Sequence, residues 1–219
     1  MSATLPRDVA ALVELSAAVA ARDPEARRAA MARASVEADP REAEEALLQL
    51  YLFLGFPAAL NALREWRTVS GRSPPREVDG ADRGHERWEE QRGEAVCALV
   101  YGASYKRLRG NVRRLHPALD RWMVTEGYGK VLGRPALGLV RRELCIVGML
   151  AVTGWEPQLH SHLRGALNAG AGPDEVGAAL EIGLAHAPRN GWPQRARKLW
   201  RHVRERHART PRIDGDVHS

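Results

Sequence analysis

The sequence predicts an all-α protein, and three observations support that prediction. Alanine and leucine dominate the apolar residues of the 219-residue chain, runs of β-branched residues are scarce, and apolar residues recur at helical spacing. Prolines stand where helices are expected to begin, at Pro24, Pro40, Pro157 and Pro173. With 44% hydrophobic residues, the chain has enough apolar side chains for one substantial core or for two small, closely packed units.

Two stretches of the chain share a series of landmarks, which predicts an internal repeat. The first runs from Val13 to Trp66 and the second from Arg142 to Trp200. The corresponding landmarks are Glu14 with Glu143, Pro24 with Pro157, Pro40 with Pro173, Gly55-Phe56-Pro57 with Gly191-Trp192-Pro193, and Trp66 with Trp200. Each copy is therefore expected to form four helical segments.

The local signals for helix ends fit this division. Asp39 is expected to cap the helix that begins at Pro40, and Gly170 and Gly172 to end the preceding helix in the second copy. The expected organisation is a diverged first repeat over 1–70 and an exposed linker over 71–93, which is rich in glycine, proline and charge. The second repeat with its lead-in helices follows over 94–210, and a tail over 211–219.

One acid and one imidazole fall on the apolar stripes of two consecutive predicted helices. Glu143 lies in line with Val147 and Leu150, and His162 lies beside Leu163. Burying such a group without a hydrogen-bond partner costs about 1–3 kcal/mol, and more if it is charged, so each is predicted to pair with the other. From the residues alone, such a pair is more often a structural tie between helices than a catalytic device.

The first copy lacks the imidazole. Ala29 corresponds to His162 and Arg27 corresponds to His160, so Glu14 has no histidine partner. The second copy is therefore predicted to hold the chemistry and the first copy to be scaffold.

Three segments together resemble the carboxymuconolactone decarboxylase and alkylhydroperoxidase D-like family. They are YGKVLGRPALGLVRREL, LHSHLRGALNAGAGPDEVGAAL and the aromatic-proline corner at Trp192. The resemblance covers 128–200 well and 13–66 as a diverged copy. It implies an alkylhydroperoxidase D-like helical bundle of antiparallel helices, assembled as a trimer or a larger homo-oligomer.

The resemblance also separates two kinds of chemistry. In the hydroperoxidase branch, a glutamate is followed by a Cys-x-x-Cys pair and then by a histidine. Here Trp155-Glu156-Pro157-Gln158 stands in place of the two thiols. A dithiol peroxidase needs an attacking thiolate and a resolving thiol, so this activity is disfavoured.

The decarboxylase branch lacks the thiol pair, as this chain does, and its substrates are small lactones that bear carboxylates. The resemblance therefore implies a cofactor-independent, carboxymuconolactone decarboxylase-like lyase acting on a small carboxylate or lactone. His162, oriented by Glu143, is the expected proton donor or acceptor, because imidazole titrates near neutral pH. His160, Arg134 and Arg142 are expected to hold a substrate anion, and Trp155 to shape the pocket.

Three alternatives remain open at this point. The first is an antioxidant protein that uses the single thiol of Cys145, and the second is a non-catalytic oligomeric binding protein with a filled core around His162. The third is nucleic-acid binding, because the net charge is +6 and arginines concentrate after Gln194. A solvated terminal helix accounts better for that charge, and the positive field also suits small anionic metabolites as partners.

Several classes of protein are not expected. The His160/His162 spacing places the two rings on different faces of a helix, so no metal site is predicted. No apolar run reaches the ~18 residues of a membrane span, and the first residues do not resemble a signal peptide. Two cysteines far apart in the sequence, Cys97 and Cys145, suit a reducing compartment, so the predicted location is cytoplasmic.

Overall fold

The structure is a computed structural model that describes residues 5–74 and 86–209, and every regular element in those ranges is helical. The all-α prediction is confirmed. The elements are α1 (Arg7–Ala21), α2 (Pro24–Glu37), α3 (Pro40–Leu48), α4 (Tyr51–Leu54), α5 (Phe56–Ser70), α6 (Glu86–Tyr101), a 3-10 turn (Gly102–Ser104), α7 (Tyr105–Leu115), α8 (Pro117–Trp122), a π-helix (Met123–Leu132), α9 (Leu139–Thr153), α10 (Glu156–Asn168), α11 (Pro173–Ala185) and α12 (Trp192–Ala208).

Helix starts follow the capping rules read from the sequence. Asp39 caps α3, since its Oδ1 accepts hydrogen bonds from the backbone N–H groups of Arg41 and Glu42. Past the end of α10, Gly170 adopts a positive φ of 105°, which favours glycine. These predicted boundaries are confirmed.

Helix α9 lies at the centre of the molecule, where it packs against α1, α10 and α11. Every residue from Arg142 to Val152 is buried. The α9/α11 crossing is very close, because a Cβ on Gly183 would overlap the carbonyl oxygen of Gly148. A polar group on α9 is therefore held among packed helices and away from water.

The middle of the chain differs from the sequence-based prediction. Helix α6 already begins at Glu86, so the last part of the predicted linker 71–93 is helical, while 75–85 lies outside the described residues. Helices α6 and α7 are separated by the 3-10 turn, in which Gly102 takes a positive φ of 51°. The predicted tail 211–219 is also outside the described residues.

The π-helix Met123–Leu132 follows α8 and precedes α9 in the chain. It packs against α6 at a close crossing of two glycines. A Cβ on Gly129 would overlap the carbonyl oxygen of Glu89, and one on Gly93 would overlap that of Val124. Isolated π-helical turns in proteins occur most often at functional sites.

Gly129→Ala is expected to destabilise the protein by at least about 1–3 kcal/mol, because the new methyl group meets backbone that must shift as a whole. The measurement is urea unfolding followed by circular dichroism. Gly127→Ala, on the same π-helix, is the matched control, since its Cβ would lie 4.0 Å from the nearest heavy atom, the Trp122 carbonyl oxygen. Equal stability of the two variants would contradict the tight crossing.

None of the helices in the described ranges is both long and apolar enough to span a bilayer.

Candidate active site

Glu143 on α9 and His162 on α10 meet in the interior. The Nδ1 atom of His162 lies 2.8 Å from Oε2 of Glu143, and the two residues are 5% and 0% exposed. The predicted pairing is confirmed. An ionised carboxylate only accepts hydrogen bonds, so Nδ1 donates to Glu143, and in the neutral form of the ring Nε2 is left as an acceptor. Among the described residues, Nε2 has no hydrogen-bond partner.

A glycine allows the two helices to approach this closely at the pair. A Cβ on Gly165 would lie 2.8 Å from Oε2 of Glu143 and 2.7 Å from a methyl carbon of Val100. The second carboxylate oxygen, Oε1 of Glu143, is buried and has no hydrogen-bond partner among the described residues. Leaving such an oxygen unpaired costs about 1–3 kcal/mol or more.

A cavity of about 840 Å³ opens beside His162. Its wall is built by six elements: α4, α6, α7, α8, the π-helix and α10. The ring of Phe53 meets the imidazole of His162 edge to face, with centroids 5.5 Å apart. Further lining residues are Tyr51, Tyr101, Met123, Glu126, Tyr128 and Gln158.

Two phenols in the wall stay protonated at neutral pH. The rings of Tyr101 and Tyr128 stack edge to face at 5.9 Å. Burial, with a contribution from the Glu143 carboxylate, raises the pKa of Tyr101 to about 12. The same burial raises the pKa of Tyr128 well above its ordinary value of 10. Neither phenol therefore acts as a base at neutral pH.

The mouth of the cavity is apolar. Leu119, Trp122 and Trp155 line it and are 49%, 55% and 45% exposed. The structure thus places Trp155 at the cavity, as the sequence predicted. The sequence did not predict that α4 and the π-helix contribute to the cavity. Helix α4 lies in the first copy, which was expected to be scaffold, and the π-helix precedes the second copy.

The two arginines expected to hold a substrate anion do not line this cavity. Arg142 is fully buried and donates to Glu45 at 2.7 Å and to the Leu137 carbonyl oxygen at 2.9 Å. Arg134 donates to both carboxylate oxygens of Glu45, at 2.9 and 3.0 Å. Burial lowers the pKa of Arg142, and the Glu45 carboxylate opposes that effect. Both guanidinium groups tie the start of α9 to α3 instead.

His160 also lies away from the cavity, since residues two apart on a helix point in directions about 200° apart. It is half-buried. Burial, together with the positive charges of Arg164, His202 and Arg206, lowers the pKa of His160. Its predicted role at the substrate is corrected to a position beside α12.

The cysteines do not fit a thiol-based reaction. Cys97 and Cys145 are both buried and free, and burial raises the pKa of each to about 12. Neither residue lines the cavity beside His162. A single-cysteine peroxidase requires an accessible thiol of low pKa near His162, and Cys145 does not meet that requirement.

We expect the native protein to leave both thiols unlabelled by an aromatic disulfide reagent at pH 8, because each thiol is buried and protonated. The measurement is absorbance of the released thiolate over an hour, before and after adding guanidinium chloride. Two thiols should react only after unfolding. Rapid labelling of one thiol in the native protein would contradict this description.

Among the described residues, the first half of the chain forms no equivalent pair. Glu14 on α1 forms an ion pair with Arg33 on α2, where the second half has Glu143 and His162. Arg141, next to Arg142, is held by Asp8 and Glu42. Because these acidic and basic side chains form ion pairs with one another, the candidates for catalysis are Glu143 and His162 in the second half.

Comparison with known proteins supports this location. The model of the carboxymuconolactone decarboxylase family matches residues 117–200, which is less than half of the chain. A protein named Peroxisomal protein 2, from Schizosaccharomyces pombe, is 31% identical over 142 residues. That alignment covers 64% of this chain and 66% of the relative, slightly under two thirds of its length. Residues 117–200, which carry Glu143 and His162, thus match the carboxymuconolactone decarboxylase family, whose alkylhydroperoxidase D-like fold is all-α like this chain.

Proposed function

We propose that this protein is a cofactor-independent enzyme of the carboxymuconolactone decarboxylase type, which moves a proton on a small lactone or other carbonyl compound. One observation carries the proposal. His162 is anchored through Nδ1 by a buried carboxylate, and its other nitrogen has no partner among the described residues at the wall of a cavity.

In the proposed reaction, Nε2 of His162 takes a proton from a carbon next to the carbonyl group. The electron pair of the broken C–H bond moves into a new C=C bond, and the carbonyl oxygen becomes an enolate oxygen. The imidazolium then returns the proton to carbon. Glu143 holds the ring in one tautomer and stabilises its positive charge while the proton is on it. Proton transfer by a positioned acid or base such as His162 contributes about 10²- to 10⁴-fold in rate.

Decarboxylation, the reaction in the family's name, would use the same two residues, His162 and Glu143, in its protonation step. Loss of carbon dioxide leaves the electron pair of the broken C–C bond in the conjugated carbonyl system. The protonated His162 ring would then deliver a proton to the carbon of this system that carries the negative charge. The non-catalytic alternative predicts a solid core around His162. The cavity beside His162 favours an enzyme over a purely structural tie.

The two-copy organisation and the assembly are part of this proposal. Support for two copies comes from helix order, since α1, α2, α3 and α5 are followed by α9, α10, α11 and α12 with prolines in the first turn of all but α1 and α9. The family resemblance suggests a homo-oligomer, trimeric or larger. Light scattering coupled to size-exclusion chromatography measures the assembly, and a single-chain mass would contradict it.

The compartment of the protein is also part of the proposal. Two unpaired, buried thiols suit a reducing location such as the cytoplasm. The name of the S. pombe relative points to the peroxisome instead. Imaging of a fluorescent fusion protein in the native cells distinguishes the cytoplasm from the peroxisome.

A deuterium-exchange screen tests the function. The protein is incubated in D₂O with neutral lactones, cyclic ketones and lactone acids, and NMR and mass spectrometry follow exchange, isomerisation and loss of carbon dioxide. At least one compound should react faster than in buffer, and Glu143→Gln, which keeps the shape but removes the charge, should slow that reaction. No acceleration with any compound, or full activity in Glu143→Gln, would overturn the proposal.

A further inference from the structure

The cavity beside His162 carries an unusual charge distribution for a protein of net charge +6. Among the described residues that line it, there is no lysine or arginine, and the one acid is Glu126. We propose that the natural substrate is uncharged and largely apolar, and that Glu126 excludes anions at the cavity wall. This inference rests on the proposed function and names the substrate class of the same site.

The position of Glu126 is fixed by its hydrogen bond. Its Oε1 accepts a hydrogen bond from the hydroxyl of Tyr51 at 2.7 Å, and this bond connects the π-helix with α4. Lys130 approaches the other oxygen at 3.8 Å, but it does not line the cavity and its side chain is half exposed. Exposed pairs of this kind contribute about 0–1 kcal/mol, so Lys130 offsets the Glu126 charge only in part.

An anionic guest would therefore meet negative charge on two sides. Glu126 faces it at the wall, and Glu143 lies directly behind the His162 ring. Like charges repel more strongly where water is excluded, and Glu143 is fully buried whereas the side chain of Glu126 is about half exposed. The cations that would balance such a guest, Arg134 and Arg142, are held by Glu45 elsewhere.

The remaining wall suits an apolar ring or chain. Phe53 and Met123 lie inside, and Leu119, Trp122 and Trp155 continue the apolar surface to the mouth. A volume of about 840 Å³ is in the range of roughly 300–1,000 Å³ that accommodates a drug-sized ligand. Burial of apolar area contributes about 25 cal/mol per Å², so this surface supplies the affinity.

The proposal also limits the class of reaction that the site would catalyse. A substrate without a carboxylate loses no carbon dioxide, so His162 removes a proton from the carbon next to the carbonyl group. It returns that proton to the same carbon or, where a C=C bond is conjugated with the enolate, to the far end of that conjugated system. All atoms stay in the molecule, and the product is an isomer of the substrate. The small anionic metabolite expected from the family resemblance is replaced by a neutral carbonyl compound.

Two isosteric probes test the charge preference. Binding of 2-acetylnaphthalene, a neutral ketone, and of 2-naphthoate, an anion of the same shape, is measured by equilibrium dialysis at pH 7.5 with the full chain. We expect the ketone to bind at least tenfold more tightly. Glu126→Gln, whose amide oxygen still accepts from Tyr51, should reduce this ratio at least threefold.

Two further variants serve as controls. Glu205→Gln changes the net charge equally on the exposed face of α12 and should leave the ratio unchanged. Tyr51→Phe removes the hydrogen bond but keeps the Glu126 charge, so the preference for the ketone should persist. Equal or tighter binding of 2-naphthoate to the wild type, no binding of the ketone, or an equal effect of Glu205→Gln would overturn the inference.

The same probes separate this inference from the proposed function. Binding preference does not require the imidazole, so His162→Ala should retain it. Preference for the ketone without exchange on any carbonyl compound would refute only the proposed catalysis. Exchange or decarboxylation restricted to carboxylate-bearing compounds would refute only the neutral substrate class.

Discussion

Replacing His162 with alanine is expected to lower the rate of proton exchange by about 10²- to 10⁴-fold, the usual contribution of a general acid or base. The reason is that Nε2 of His162 is the one basic nitrogen at the wall of the described cavity. The measurement is the rate of deuterium uptake by the best carbonyl compound found in the screen. Added imidazole should restore part of the rate, because the variant leaves a space of that shape beside Glu143.

His160→Ala is the matched control. It removes the same side chain two residues earlier on α10, where the ring faces the positive charges of α12. We expect the rate of this variant to stay within about twofold of the wild type. A fall in His160→Ala as large as in His162→Ala, or an active His162→Ala protein, would contradict the assigned role of His162.

Glu45→Gln is expected to destabilise the protein by about 3–5 kcal/mol, the cost of leaving a buried charge without its partner. Arg142 is fully buried and Arg134 is nearly so, and both donate to the Glu45 carboxylate. Without that carboxylate the two guanidinium groups repel each other at the start of α9. The free energy of unfolding is measured by urea titration, followed by circular dichroism.

A surface ion pair provides the comparison. Glu181 accepts two hydrogen bonds from Arg197 at 2.7 and 2.8 Å, and both side chains are about half exposed. Glu181→Gln should therefore cost no more than about 1 kcal/mol. A change in Glu45→Gln as small as this would mean that the buried network adds little to stability.

The Glu143–His162 pair was predictable because two local rules act together. Helical periodicity places both residues on buried stripes, and the cost of unpaired burial demands a partner. The starts of α2 and α3 follow equally local signals, namely an aspartate followed by proline. Such features depend on a few neighbouring residues, so they do not change with the details of tertiary packing.

The surroundings of the pair were not predictable in the same way. Arg142 is adjacent to Glu143 in sequence, but its direction is set by Glu45 on a distant helix. The cavity wall is shared by Tyr51 of α4 and Glu126 of the π-helix, which are joined by one hydrogen bond across 75 positions. Only the packing of the whole chain brings these groups together, so no local pattern reveals them.

The most direct test of the account is the NMR spectrum of the ring nitrogens of His162 in protein labelled with ¹⁵N-histidine, assigned by comparison with His162→Ala. We predict a proton on Nδ1 that exchanges slowly with water, an Nε2 without a proton, and a shift of the Nε2 resonance when 2-acetylnaphthalene is added. A bare Nδ1, or a bound ligand that leaves both nitrogens of His162 unshifted, would contradict the claim that Glu143 holds this imidazole ready at the cavity.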